Sequence, residues 1–150
     1  MTVFGCVSCG VVVTAEVSEV PYPDGEVVVL EERAEAPPRV RQGTFAVAPE
    51  PFGPPYEPLP DRPQVLVSAG PRATILVHPD DVVGLRHHPD PSRLNGCCRL
   101  DGADGLNLVC GGCGAEIATE VSDCWASWHD LRLHPDAVAV VDERGGTGAL

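Results

Sequence analysis

The residues with the clearest chemistry in this chain are its seven cysteines: Cys6, Cys9, Cys97, Cys98, Cys110, Cys113 and Cys124. Four of them form two copies of Cys-x-x-Cys-Gly, at Cys6 to Gly10 and Cys110 to Gly114. A two-residue gap lets one tight turn present two sulfurs to one ion, and zinc takes four such ligands in a tetrahedron at about 2.3 Å. The glycine after the second cysteine tolerates a left-handed backbone, which allows the N–H groups of the turn to face the sulfurs. Disulfides would need an oxidising compartment. The cysteine count is odd, and the start Met1-Thr-Val-Phe-Gly-Cys6 has neither a basic stretch nor a long apolar run, so no export signal is expected. A thioredoxin-like redox site would place its cysteines at a helix N-terminus, whereas both motifs here lead into strand-like sequence. Metal binding is therefore the expectation, with all seven cysteines as candidate ligands for one or two zinc ions.

The spacing leaves the sharing of the sulfurs open. In a two-site scheme, Cys110, Cys113, Cys124 and one of Cys97 and Cys98 form a local array, while Cys6, Cys9, the other member of the pair and a histidine form the second site. In a one-site scheme, Cys6, Cys9, Cys110 and Cys113 hold a single ion. The two-site scheme leaves no cysteine idle and is preferred on that ground. Candidate histidines are His78, His87, His88, His129 and His134. His78 and His134 both precede Pro-Asp, which suits a strand end at least as well as a ligand. The knuckles resemble those of the zinc-ribbon class over a short stretch each, and that resemblance implies strands leading into and out of a structural zinc site.

The elements that must position these sulfurs read as short strands. Valine dominates the apolar residues, and Pro and Gly number 16 each, a pattern of strands punctuated by turns. The expected fold is mainly β: a small zinc-ribbon-like protein with two knuckles, a Pro-rich insert and an internal duplication. Cys6-Val-Ser-Cys-Gly-Val-Val-Val-Thr-Ala-Glu-Val-Ser-Glu19 matches Cys110-Gly-Gly-Cys-Gly-Ala-Glu-Ile-Ala-Thr-Glu-Val-Ser-Asp123 without a gap. Ile75-Leu-Val-His-Pro-Asp80 matches Leu131-Arg-Leu-His-Pro-Asp136, and Thr44-Phe-Ala-Val-Ala-Pro-Glu50 is a fainter third likeness. The repeat-like units are thus 6–19 with 75–84, and 110–123 with 131–140, in one domain spanning 1–141. After each knuckle, alternation places Val11, Val13, Ala15 and Val17 on one face, and Ala115, Ile117, Thr119 and Val121 likewise.

The insert, residues 21–63, holds eleven of the sixteen prolines. Residues 27–32 read as a strand within it, and Phe52, Tyr56 and Leu59 as a cover for the core. Residues 64–78 read as a hairpin, residues 142–150 as a disordered tail, and Trp125 and Trp128 as opposite faces of a strand, one beside the zinc and one exposed. Asp101 to Asn107 lacks the acidic spacing of a calcium loop and reads as two glycine turns.

Composition also excludes function classes. With no lysine and a net charge of -12, the chain repels phosphate backbones, so nucleic acid is not an expected partner. No aliphatic run is long enough to span a bilayer. The scarcity of Lys, Ile, Asn and Gln fits the coding bias of a high-GC bacterium. There is no His-Glu-x-x-His, no Gly-x-Ser-x-Gly and no phosphate-binding Gly-x-x-x-x-Gly-Lys. The expectation is a cytoplasmic structural-zinc protein that acts through protein–protein contacts. A zinc-dependent hydrolase or a redox-sensing zinc-thiolate protein is the alternative.

Overall fold

A computed structural model describes residues 1–23, 36–141 and 147–148. The described chain is mainly β, with twelve short strands and only two single-turn 3-10 segments. A seven-stranded sheet runs in the order β2 (Ser18–Glu19), β3 (Thr44–Val47), β6 (Ile75–Val77), β10 (Asp130–Leu133), β9 (Glu116–Val121), β8 (Leu108–Cys110), β7 (Leu85–His87). A smaller sheet joins β1 (Phe4–Cys6), β11 (Val138–Val141) and β12 (Thr147–Gly148), and β4 (Tyr56–Pro58) pairs with β5 (Leu66–Ser68) as a separate hairpin. Among the described residues, no helix is long and apolar enough to cross a membrane.

The centre of the large sheet is the antiparallel pair of β6 and β10. Its register sets Leu131 opposite Val77, Arg132 opposite Leu76 and Leu133 opposite Ile75. The period of two sends Ile75, Val77, Leu131 and Leu133 to one face, where they meet Phe4, Val13, Val17, Phe45, Ile117 and Val138 in the main core. The opposite face carries Leu76, Ala46 and Arg132. Arg132 is almost fully buried, its guanidinium lies 4.4 Å from the Phe52 ring centre, and it reaches Asp130, which also pairs with Arg39 at 3.0 Å.

The strands that follow the His78 and His134 turns bring the knuckles together. After His78-Pro79-Asp80 the chain enters β7, which pairs with β8, the strand leading into the second knuckle, with Leu85 opposite Cys110. After His134-Pro135-Asp136 it enters β11, which pairs with β1, the strand leading into the first knuckle, with Val138 opposite Cys6. Each knuckle then donates one more hydrogen bond to the residue before its partner strand: the Val7 N–H to the Ala137 carbonyl at 3.0 Å, and the Gly111 N–H to the Gly84 carbonyl at 2.7 Å. Knuckles that lie far apart in sequence are thus each fastened to the strand that follows one member of the central pair.

Several expectations are corrected. Residues 64–78 do supply strands, but β5 pairs with β4 while β6 lies between β3 and β10, so they form no hairpin with each other. The fainter likeness of residues 44–50 to 74–80 falls on direct neighbours, since Val47 pairs with Ile75. Of the four residues expected on one face after the first knuckle, only Val13 and Val17 are buried, while Val11 and Ala15 are exposed. That segment exchanges partners in single bridges, Val12 with Gly5, Thr14 with Val82 and Val17 with Thr2, and so holds no continuous pleat. Tyr56 is exposed and covers no core; its hydroxyl donates to the Ala103 carbonyl at 3.0 Å. The strand expected at residues 27–32 lies outside the described residues. Of the tail expected to be disordered, Thr147–Gly148 pairs with β11, and residues 142–146 and 149–150 lie outside the described residues.

Candidate metal centre

All seven cysteines are free, and the structure gathers them into two clusters that could hold a metal ion: Cys6, Cys9, Cys110 and Cys113, and Cys97, Cys98 and Cys124. The first is the one-site set. The local array of Cys110, Cys113 and Cys124 with Cys97 or Cys98 is not brought together.

The two knuckles of the first cluster have the same backbone hydrogen bonds. Cys6 N–H donates to the Val11 carbonyl and Gly10 N–H to the Cys6 carbonyl, each at 2.8 Å; Cys110 to Ala115 and Gly114 to Cys110 repeat both distances. Gly10 and Gly114 sit at φ of 77° and 80°, the left-handed conformation the motif requires. The second knuckle also needs glycine inside the gap, because a Cβ at Gly111 would lie 2.7 Å from the Gly84 carbonyl oxygen.

The sulfurs converge from both ends of the chain. Cys6 Sγ lies 3.7 Å from Cys113 Sγ, Cys9 Sγ lies 3.6 Å from Cys110 Sγ, and all four fall within 4.8 Å of one another. Sulfurs bound at about 2.3 Å in a tetrahedron stand about 3.8 Å apart, close to the spacing of these two pairs, so the cluster could hold a metal ion. Cys6 and Cys110 are buried, while Cys9 and Cys113 are exposed.

Backbone donors face these sulfurs, the Gly112 N–H reaching Cys110 Sγ at 3.3 Å. Burial opposes ionisation of Cys110, but the N–H groups of Cys113 and Gly112, with help from the Cys9 and Cys113 sulfurs, bring its thiol down to about 7. Cys9 has the Val11 N–H pulling it down, yet burial and the sulfurs of Cys110, Cys113 and Cys6 push it up to about 12. Burial also raises Cys6. Four thiols this close cannot all ionise without a cation among them.

The second cluster is built around Asp123, a residue that sequence reading passed over as the end of a repeat unit. Its buried carboxylate accepts from the backbone N–H groups of Cys97 (2.7 Å), Cys98 (2.9 Å), Arg99 (3.2 Å) and Cys124 (2.8 Å), and from the Trp125 indole (3.0 Å). These donors, Cys98 first, hold its carboxyl far below the usual carboxylate range. Cys98 Sγ lies 3.8 Å from Cys97 Sγ and 3.1 Å from Cys124 Sγ, and all three side chains are exposed. An acid adjoining a cysteine is the available signal, but three of its five donors lie in a loop more than twenty residues earlier.

No histidine joins either cluster among the described residues. His78 and His134 instead close their own turns, Nδ1 accepting the N–H of Asp80 at 3.0 Å and of Asp136 at 3.1 Å. His88-Pro89-Asp90 does the same at 3.0 Å, a third instance that the sequence comparison missed. His129 pairs with Glu120 at 2.7 Å, and His87 is exposed. Trp125 and Trp128 lie in turns rather than a strand. Trp125 is 65% exposed beside Cys124, and Trp128 stacks under Arg39 at 5.6 Å.

Fold and site together define a mainly β protein with two cysteine clusters able to hold metal. No protein-family model matches the chain, and no curated protein or solved structure is detectably similar to it.

Proposed function

We propose that Cys6, Cys9, Cys110 and Cys113 hold one structural zinc ion and that the protein works through contacts with another protein. The observation that carries the first part is the convergence of four sulfurs from the two knuckles to within 4.8 Å of one another, with contacts of 3.6 and 3.7 Å between the knuckles. An all-sulfur tetrahedral set suits zinc, and four protein ligands leave no open position for a substrate or a reactive water. A hydrolase reading has no comparable support at this cluster.

The protein-contact part is supported by the β4–β5 hairpin, which exposes Tyr56, Val65, Leu66 and Val67, with Leu66 at 63%. The net charge of -12 disfavours nucleic acid as that partner. The zinc-ribbon likeness and the duplication belong to the same reading. Their support is the matched hydrogen bonds of the knuckles and the register of the two matched strands, which is centred on the equivalent pair Arg132 and Leu76, with Leu131 opposite Val77 and Leu133 opposite Ile75.

Titration with a strong chelator at several pH values tests the zinc role. Zinc and β-sheet circular dichroism should be lost together, because metal binding at such a site is part of the folding free energy. Zinc must displace the protons still on sulfur, so its affinity should fall as pH falls. The fall should steepen below about 7, where Cys110 also carries a proton. Removal of zinc with the sheet signal intact would contradict a structural role.

A further inference from the structure

Three sulfurs lie outside the four-sulfur cluster. We propose that Cys97, Cys98 and Cys124 form a second metal site of a different kind, an open three-thiolate site for a soft ion whose fourth ligand comes from outside the chain. The proposal holds whichever ion occupies the first cluster.

The site is built, not incidental. Two separate loops meet there, and the Asp123 carboxylate binds both, taking the N–H groups of Cys97, Cys98 and Arg99 from one and those of Cys124 and Trp125 from the other. The first loop is closed by the Asp101 N–H on the Asn95 carbonyl at 2.9 Å and is so tight that a Cβ at Gly96 would lie 1.6 Å from the Arg99 carbonyl oxygen. Both carboxylate oxygens of Asp123 are engaged, so it positions the sulfurs and is not itself a ligand. The three sulfurs lie within 4.8 Å of one another, and no histidine, acid or fourth cysteine among the described residues joins them.

Thiolates select soft ions, and a three-ligand protein set leaves one coordination position free. All three cysteines are exposed, so that position faces solvent. Binding a divalent ion releases the protons still on the three thiols. The resulting complex carries one net negative charge and completes its coordination with water or an external thiol. Such a site exchanges its ion more readily than the first cluster, which has four protein ligands, two of them buried.

Cadmium serves as the probe, added to the reduced 150-residue chain, and native mass spectrometry counts the ions bound. The wild type should hold one ion more than the Cys97→Ser/Cys98→Ser/Cys124→Ser variant, which should keep its fold because all three positions are at the surface. Gly96→Ala should lose the same ion while leaving the first cluster loaded. Adding 2-mercaptoethanol should shift the sulfur-to-cadmium absorption of the wild type and leave that of the triple variant unchanged. Equal ion counts in wild type and triple variant would overturn the proposal, as would a Cys98–Cys124 disulfide that persists under reducing conditions and blocks cadmium. A spectrum indifferent to 2-mercaptoethanol would overturn the open fourth position. An empty first cluster shows instead as an ion missing equally from both chains, so the two readings fail separately.

Discussion

Cys113→Ser is expected to leave the chain unfolded at room temperature, with the sheet signal in circular dichroism and the cooperative melt both lost. Structural zinc contributes an apparent 10–16 kcal/mol in zinc-finger peptides, roughly, against a net stability of about 5–15 kcal/mol for a whole domain. Cys113 meets Cys6 across a sequence separation of 107 residues, and a clip closing so long a loop removes much of the unfolded chain's freedom. Beyond Cys6 the first knuckle buries no side chain, since Val7, Ser8, Cys9 and Gly10 are all exposed, and backbone hydrogen bonds alone hold it besides the sulfurs. A Cys113→Ser protein with wild-type melting would show that the four sulfurs do not share an ion.

The next largest effect should come from Phe4→Ala, about 3–5 kcal/mol of lost stability. Phe4 is fully buried, and its ring meets that of Phe45 edge to face at 5.1 Å, joining the small sheet to the large one. Its N–H donates to the buried Thr14 hydroxyl at 3.0 Å. Phe4 is also two residues before Cys6 on the same strand, so both side chains enter the interior from one face. Urea unfolding of the metal-loaded variant should show a lower midpoint with an unchanged slope. A loss below about 1 kcal/mol would mean that the core has closed over the gap and that this contact does not join the sheets.

The parts legible from sequence are those that local chemistry decides. Cys-x-x-Cys-Gly specifies a turn almost by itself, and both knuckles have the hydrogen bonds and left-handed glycines that the motif implies. The Val-rich segments between Pro and Gly supply strands, as at Ile75–Val77 and Val138–Val141. Which strands pair is another matter, because register and partner follow from a shared buried face rather than from proximity in sequence. Residues 64–78 look like a hairpin for that reason, yet Ile75 to Val77 find better partners in Phe45 to Val47 and Leu131 to Leu133.

The same gap misled the sharing of sulfurs. Cys97, Cys98, Cys110, Cys113 and Cys124 are close in sequence, but β8 carries Cys110 towards the first knuckle while the Asp123 loop holds Cys124 beside Cys98. Spacing alone cannot see a sheet register that moves two neighbouring cysteines to different sites. The strand-end alternative for His78 and His134 has a simple physical reason. A His-Pro-Asp turn uses imidazole Nδ1 to accept a backbone N–H two residues on, a capping role that needs no metal.

X-ray absorption at the zinc edge, recorded on the Cys97→Ser/Cys98→Ser/Cys124→Ser protein purified under reducing conditions, tests the four-sulfur site most directly. One zinc per chain, surrounded by four sulfurs at about 2.3 Å, is the predicted result. A chain folded without bound metal, or a zinc with nitrogen or oxygen in its ligand set, would contradict it.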